Sequence, residues 1–92
     1  MSESGSEATD TVAVDSASVW PADAMDVDEG VVANWFVREG AVVSAGETLC
    51  EIQIEKVSVD VPAPVAGEVA SVLVPENETF TRGDVLAELR PT

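Results

Sequence analysis

Short apolar stretches separated by polar breaks run through most of the chain, and none of them carries a helical stripe. Residues 31–37, 49–54, 69–74 and 85–89 each read as a strand. Val57, Val59 and Val61 alternate with Ser58 and Asp60, the period-2 pattern of a strand with one buried face. Pro62 and Pro64 then end regular pairing. Glu39-Gly40, Ala45-Gly46-Glu47, Glu76-Asn77 and Arg82-Gly83-Asp84 supply turn residues between the strands. The class predicted is all-β, built from many short strands and frequent turns. Residues 1–11 are Ser, Glu, Gly, Thr, Asp and Ala with almost nothing apolar, and are expected to form a disordered acidic tail ahead of one domain over 12–92.

The strand pattern is repeated. Residues 30–53 align on residues 67–90 without a gap, and eight of the 24 pairs are identical: Gly30/Gly67, Val32/Val69, Ala33/Ala70, Val37/Val74, Glu39/Glu76, Gly46/Gly83, Leu49/Leu86 and Glu51/Glu88. The matched glycines and the lack of gaps argue against chance likeness between Val-rich strands, although two copies do not make a solenoid. Two copies related by an approximate two-fold axis would place the ends of their last strands on opposite sides of the domain. The second copy's last strand lies next to Thr92. The turn that follows the first copy, at Glu55-Lys56, should therefore project from the side opposite the termini.

Composition narrows the chemistry. Ninety-two residues make one small domain, and 18 acidic against 4 basic residues give a net charge of −14. Nucleic acid and anionic membranes are poor partners for such a surface, because phosphate contacts need Lys and Arg. Self-repulsion on this scale is screened at molar salt, where the Debye length falls to roughly 3 Å. The acid excess with almost no lysine is expected of a halophilic protein. There is no histidine, which excludes Ser-His or Cys-His nucleophile pairs and His-ligated metals. Cys50 stands alone in an apolar strand, where a thiol behaves as a small hydrophobe. No apolar run reaches the ~18 residues of a membrane span, and no signal core is visible, so a monomeric cytoplasmic protein is expected. Acidic residues at alternating strand positions read as solvated faces, and no acid–base pair stands out; a catalytic role is not expected.

Lys56 is the only lysine. The lysine-poor composition explains part of that isolation. Arginine supplies charge equally well, but it cannot be acylated by the same chemistry, so a lysine kept against the bias points to a needed amine.

Several landmarks resemble the biotinyl/lipoyl domain family. Trp20-Pro21 is similar to its Met-Pro after the first strand, Asp28-Glu29-Gly30 to its acidic pair and glycine, Val37-Arg38-Glu39-Gly40-Ala41-Val42-Val43 to V-K-E-G-D-x-V, and Gly46-Glu47-Thr48-Leu49-Cys50-Glu51-Ile52 to G-D-x-L-A-E-V. Most specific is Glu55-Lys56-Val57 followed by Val61-Pro62-Ala63-Pro64-Val65-Ala66-Gly67, which resembles the D-K-A/V…V-P-A-P-V-S-G stretch of 2-oxoacid dehydrogenase lipoyl domains. The resemblance implies a flattened β-barrel of two four-stranded antiparallel sheets with quasi-two-fold symmetry. It implies that Lys56 carries lipoic acid as an amide, shuttling acyl groups and electrons as a non-catalytic swinging arm. It implies as partners a lipoate-attaching enzyme and the decarboxylase, acyltransferase and dihydrolipoamide dehydrogenase components of such a complex.

Recognition around the turn would fall to Gln53, Glu55 and Val57. Lipoyl domains usually carry glutamate three residues before the lysine, where this chain has Gln53. Biotin carriers flank their lysine with methionines, where this chain has Glu55 and Val57. Asp26, Asp28 and Glu29 are candidates for a recognition loop near the tip, as the first loop is in the family, or are ordinary surface acids. The alternatives are an unmodified barrel-sandwich adaptor and a biotin carrier, with a glycine-cleavage carrier second within the lipoyl class. The chain is expected to be a free-standing carrier or a split component of an acyl-transferring complex.

Overall fold

The computed structural model describes residues 11–92. The expected tail lies, but for Thr11, outside the described residues. Eight strands follow in chain order: β1 (Val12–Asp15), β2 (Glu29–Trp35), β3 (Val42–Val43), β4 (Thr48–Ile54), β5 (Val57–Pro62), β6 (Gly67–Val72), β7 (Thr79–Thr81) and β8 (Val85–Pro91). They form two four-stranded antiparallel sheets, ordered β1-β8-β6-β3 and β5-β4-β2-β7. This is the expected all-β class. Strands β3 and β7, two and three residues long, lie inside what the sequence reads only as turn and spacer.

The sequence repeat maps one sheet onto the other. Exchanging β1, β8, β6 and β3 for β5, β4, β2 and β7 reproduces the strand order, so the duplication is a quasi-two-fold axis between the sheets. The correspondence reaches single bonds. Phe36 and Leu73, equivalent in the two copies, each donate their backbone N–H over 2.9 Å, to Leu49 and Leu86 respectively. Gly40 N–H donates to the Val69 carbonyl at 2.8 Å, and Asn77 N–H to the Val32 carbonyl at 2.7 Å. Each copy's turn is thus fastened to the other copy's strand. The register shifts between Val32 and Asn34 and between Val69 and Ser71 coincide as well, at the repeated Ala33 and Ala70. Such bulges tighten strand twist, which a flattened barrel needs to close.

Residues from both sheets meet in one core. Val32, Leu49, Ile52, Ile54 and Val61 come from one sheet, and Val14, Val43, Val69, Leu86 and Leu89 from the other, all at 3% exposure or less. Burying each Leu or Ile contributes on the order of 2 kcal/mol. Cys50 and its repeat partner Ala87 are both fully buried, as expected for a thiol acting as a hydrophobe.

Several acidic residues at the turns, though exposed, also bond the backbone. Glu76 Oε2 accepts from Trp35 N–H at 2.9 Å, and its counterpart Glu39 Oε2 accepts from Val72 N–H at 2.8 Å. Glu47 and Asp84, another repeat pair, accept from Ser44 and Thr81 N–H, both at 2.9 Å, and Asp15 accepts from Ala17 N–H at 2.8 Å. Side-chain oxygens at turn positions satisfy backbone donors that no ladder reaches, a role period-2 reading assigns to no one.

Candidate functional site

From Cys50 opposite Val61, β4 and β5 pair residue by residue up to Ile54 opposite Val57, which leaves Glu55 and Lys56 as a two-residue turn. Hairpin turns this short follow the right-handed twist of their strands only with φ > 0 in the loop. Glu55 takes that conformation, at φ +55°. A side chain in the left-handed region costs on the order of 1 kcal/mol, so the hairpin beneath must impose it. Ile54, at the base of the turn, is fully buried. Gly30 approaches so closely that a Cβ there would sit 2.8 Å from Phe80 Cζ and 3.2 Å from the Gln53 carbonyl oxygen. The base of the turn is therefore clamped between β2, β4 and Phe80.

Of the four residues expected around the site, all lie on this hairpin end. Lys56 is exposed on the turn, Gln53 and Glu55 are exposed beside it, and Val57 is half-buried against the barrel. The Gln53 side chain donates from Nε2 to the Glu55 carbonyl oxygen at 3.2 Å. A carboxylate at this position has no proton to give that carbonyl. The amide thus braces the turn from within. Among the described residues the ion pairs are Arg82–Asp28 and Arg90–Glu68, and Lys56 enters neither. Its amine is presented outward.

The acidic candidates separate. Glu29 faces the turn: with Gly30, Val31, Thr79, Gln53 and Glu55 it lines an open concavity of about 200 Å³. Asp28 is held by Arg82, Nη2 to Oδ1 at 2.9 Å, and Asp26 is exposed on the preceding bend. Sequence reading missed Arg82, whose partners lie more than fifty residues away. Cys50 offers no reactivity: burial pushes its thiol up to about 12, which keeps it protonated. Among the described residues no three His, Cys, Asp or Glu side chains gather to hold a metal ion. The site is one outward amine on a braced turn, suited to being modified and not to bond-making of its own.

Comparison with known proteins gives consistent relatives. The biotin/lipoyl family model, described as biotin-requiring enzyme, matches residues 19–89. The dihydrolipoyllysine-residue acetyltransferase component of the pyruvate dehydrogenase complex of Staphylococcus epidermidis is 35% identical over 63 residues, 68% of this chain and 14% of that protein. The same component of Staphylococcus aureus is 35% identical over 63 residues, 68% of this chain and 15% of that protein. The chain therefore spans about one seventh of the length of these relatives. Among solved structures, the lipoyl domain of the 2-oxoglutarate dehydrogenase complex from Azotobacter vinelandii matches with a TM-score of 0.65 and 28% identity, over 84% of this chain and 95% of that one. A single-chain, multi-domain long-chain acyl-CoA carboxylase matches with a TM-score of 0.73 and 24% identity, over 90% of this chain and 7% of that one, a likeness of fold.

Proposed function

The chain belongs to the biotin/lipoyl attachment domain family, and from that premise we propose that it is a lipoyl carrier domain whose Lys56 bears lipoic acid in a 2-oxoacid dehydrogenase-type complex. The observation that carries this reading is the exposed Lys56 amine, in no ion pair among the described residues, on a two-residue turn whose strained residue is held by a rigid base. An amide to Nζ needs only that amine, so the residues present fit the group. Bound there, lipoic acid supplies a disulfide ring that takes up an acyl group as it is reduced and is later restored by oxidation.

The chain's own residues do the positioning. Ile54 and Gly30 fix the hairpin base, Glu55 turns the chain, and Lys56 adds the reach of its side chain to the arm. Tethering raises the arm's effective concentration at successive enzymes, and no residue of this domain needs to make or break the transferred bond. The enzymes served are a lipoate-attaching enzyme and the decarboxylase, acyltransferase and dihydrolipoamide dehydrogenase components. The domain acts as a monomer in the cytoplasm, and its charge of −14 suits a salt-rich interior. Lipoate is favoured over biotin by Glu55 and Val57 on either side of the lysine.

Attachment in vitro tests the reading. Purified full-length protein is incubated with ATP and either a lipoate ligase with lipoate or a biotin ligase with biotin. One lipoyl group should add to the wild type and none to Lys56→Arg, with no biotin on either. A biotin adduct would overturn the cofactor, and loss of folding in Lys56→Arg would show the residue to be structural.

A further inference from the structure

The turn that carries Lys56 has an unusual residue at its first position. Of the two turn residues only Glu55 has φ > 0, at +55°, the pattern of a II′ turn. That position ordinarily takes glycine, which adopts such angles without strain. Elsewhere among the described residues positive φ falls on Gly40, Gly46, Gly83 and Asn77, types that tolerate it. Glutamate is the exception, and it stands next to the lysine.

A second turn is open to the same hairpin. Flipping the peptide between Glu55 and Lys56 converts II′ into I′, the other common two-residue turn. The strands keep their register, but Lys56 then takes φ > 0 and its side chain leaves the backbone in a new direction. Lysine resists that flip, because it would itself become left-handed. Glutamate resists the present form, which ordinarily has glycine in its place. The two preferences oppose each other, so one hydrogen bond is enough to decide between the turns.

Gln53 supplies that bond. Its Nε2 donates to the Glu55 carbonyl oxygen at 3.2 Å. This carbonyl belongs to the peptide that would flip, so the bond exists in one turn and is lost in the other. Charge explains why the donor is an amide. Glu29 and Glu55 line the same open concavity as Gln53. A carboxylate at residue 53 would offer the carbonyl no proton and would add a third negative charge there.

We propose that Gln53 is a positioning residue for attachment at Lys56. It fixes the central peptide of the turn, and with it the direction in which the lysine side chain departs. The attaching enzyme then meets a pre-shaped turn and does not read a charge at residue 53. This rests on the carrier reading above and adds to it what presents the amine.

Attachment kinetics test it. The full-length chain, before modification, is the varied substrate of the host's lipoate-attaching enzyme, with ATP and lipoate. Gln53 is exposed, so its variants should fold, with urea midpoints near that of the wild type. Gln53→Met keeps the length and loses the donor. Its KM should rise about 3-fold with kcat unchanged, because only the unflipped fraction binds. Gln53→Glu should raise KM at least as far. In a Glu55→Gly background glycine favours the II′ turn unaided, and there Gln53→Met should change KM by less than about 1.5-fold. The Lys56 Cα and Cβ chemical shifts should move towards those of positive φ in Gln53→Met and stay in place in the double variant.

Unmoved shifts in Gln53→Met would overturn the proposal. So would a lower KM in Gln53→Glu, which would show that the enzyme reads charge there. An equal rise in KM in both backgrounds would also overturn it, since the enzyme would then touch Gln53 itself. A wild type that takes no lipoate would overturn the carrier reading and this proposal together. A wild type and a Gln53→Met variant modified alike would remove this proposal alone.

Discussion

The two ends of the barrel are made by equivalent parts of a duplicated chain, yet they present different surfaces. At one end β4 and β5 close in the Glu55-Lys56 turn, and residues 16–28 connect β1 to β2, with Asp28 paired to Arg82. At the other, the equivalent strands β8 and β1 pair without a hairpin between them, and the neighbouring connection is short. What is common to both ends holds the fold: buried Leu49 and Leu86, the reciprocal carboxylates Glu39 and Glu76, and the close approaches at Gly30 and Gly67. What differs is Lys56 and the residues beside it. Symmetric features are shared by structural need, and the asymmetric ones set the Lys56 end apart from its counterpart.

The largest effect is expected where the symmetry is tightest. A Cβ on Gly67 would fall 2.3 Å from the Arg90 carbonyl oxygen, a backbone atom, whereas one on Gly30 first meets the Phe80 ring at 2.8 Å. Gly67→Ala should cost more than about 3 kcal/mol, or prevent folding, and Gly30→Ala about 1–3 kcal/mol. Urea denaturation in matched salt would order the two, and equal costs would contradict the geometry.

Next comes the buried pair Cys50 and Ala87. The Cys50 thiol, raised from 9.0 to about 12 by burial, favours the folded state while protonated. That stability is complete below pH 9 and declines as pH rises towards 12, by on the order of 2 kcal/mol at pH 11. Cys50→Ala, which makes the two copies alike, should flatten this alkaline limb when pH titrations of stability are compared. The native thiol should also resist thiol reagents until denaturant is added.

Smaller changes test the turns. Glu39→Ala and Glu76→Ala should each cost about 1 kcal/mol, and by similar amounts, because each removes the same exposed cap on the other copy's backbone. Unequal costs would show the copies to be less equivalent in energy than in geometry. Glu55→Gly should stabilise by up to ~1 kcal/mol, since glycine accepts φ +55° without strain. A shift of the urea midpoint to lower concentration would mean the turn residue is held by contacts that the backbone angle does not reveal.

Much of this was legible in the sequence because it rests on local pattern. Period-2 alternation located β5, and the gapless repeat with its glycines foretold two related halves, with the lysine on the turn after the first. The missing parts depend on distant partners. β3 and β7 are too short to show alternation. The caps at Glu39 and Glu76 join residues 33 and 41 positions apart, and the Arg82–Asp28 pair joins residues 54 apart. Each of these side chains is ordinary on its own, and only the fold brings its partner within reach. Gln53 reads in sequence as a departure from the family, whereas in the fold its amide has a partner of its own, the turn carbonyl of Glu55.

The carrier reading meets its most direct test in protein purified from its native host under lipoate-replete growth, by intact mass followed by peptide mapping. The expected result is one lipoyl or octanoyl increment, confined to the peptide that contains Lys56. Protein that is unmodified at Lys56, or that carries biotin there, would contradict it.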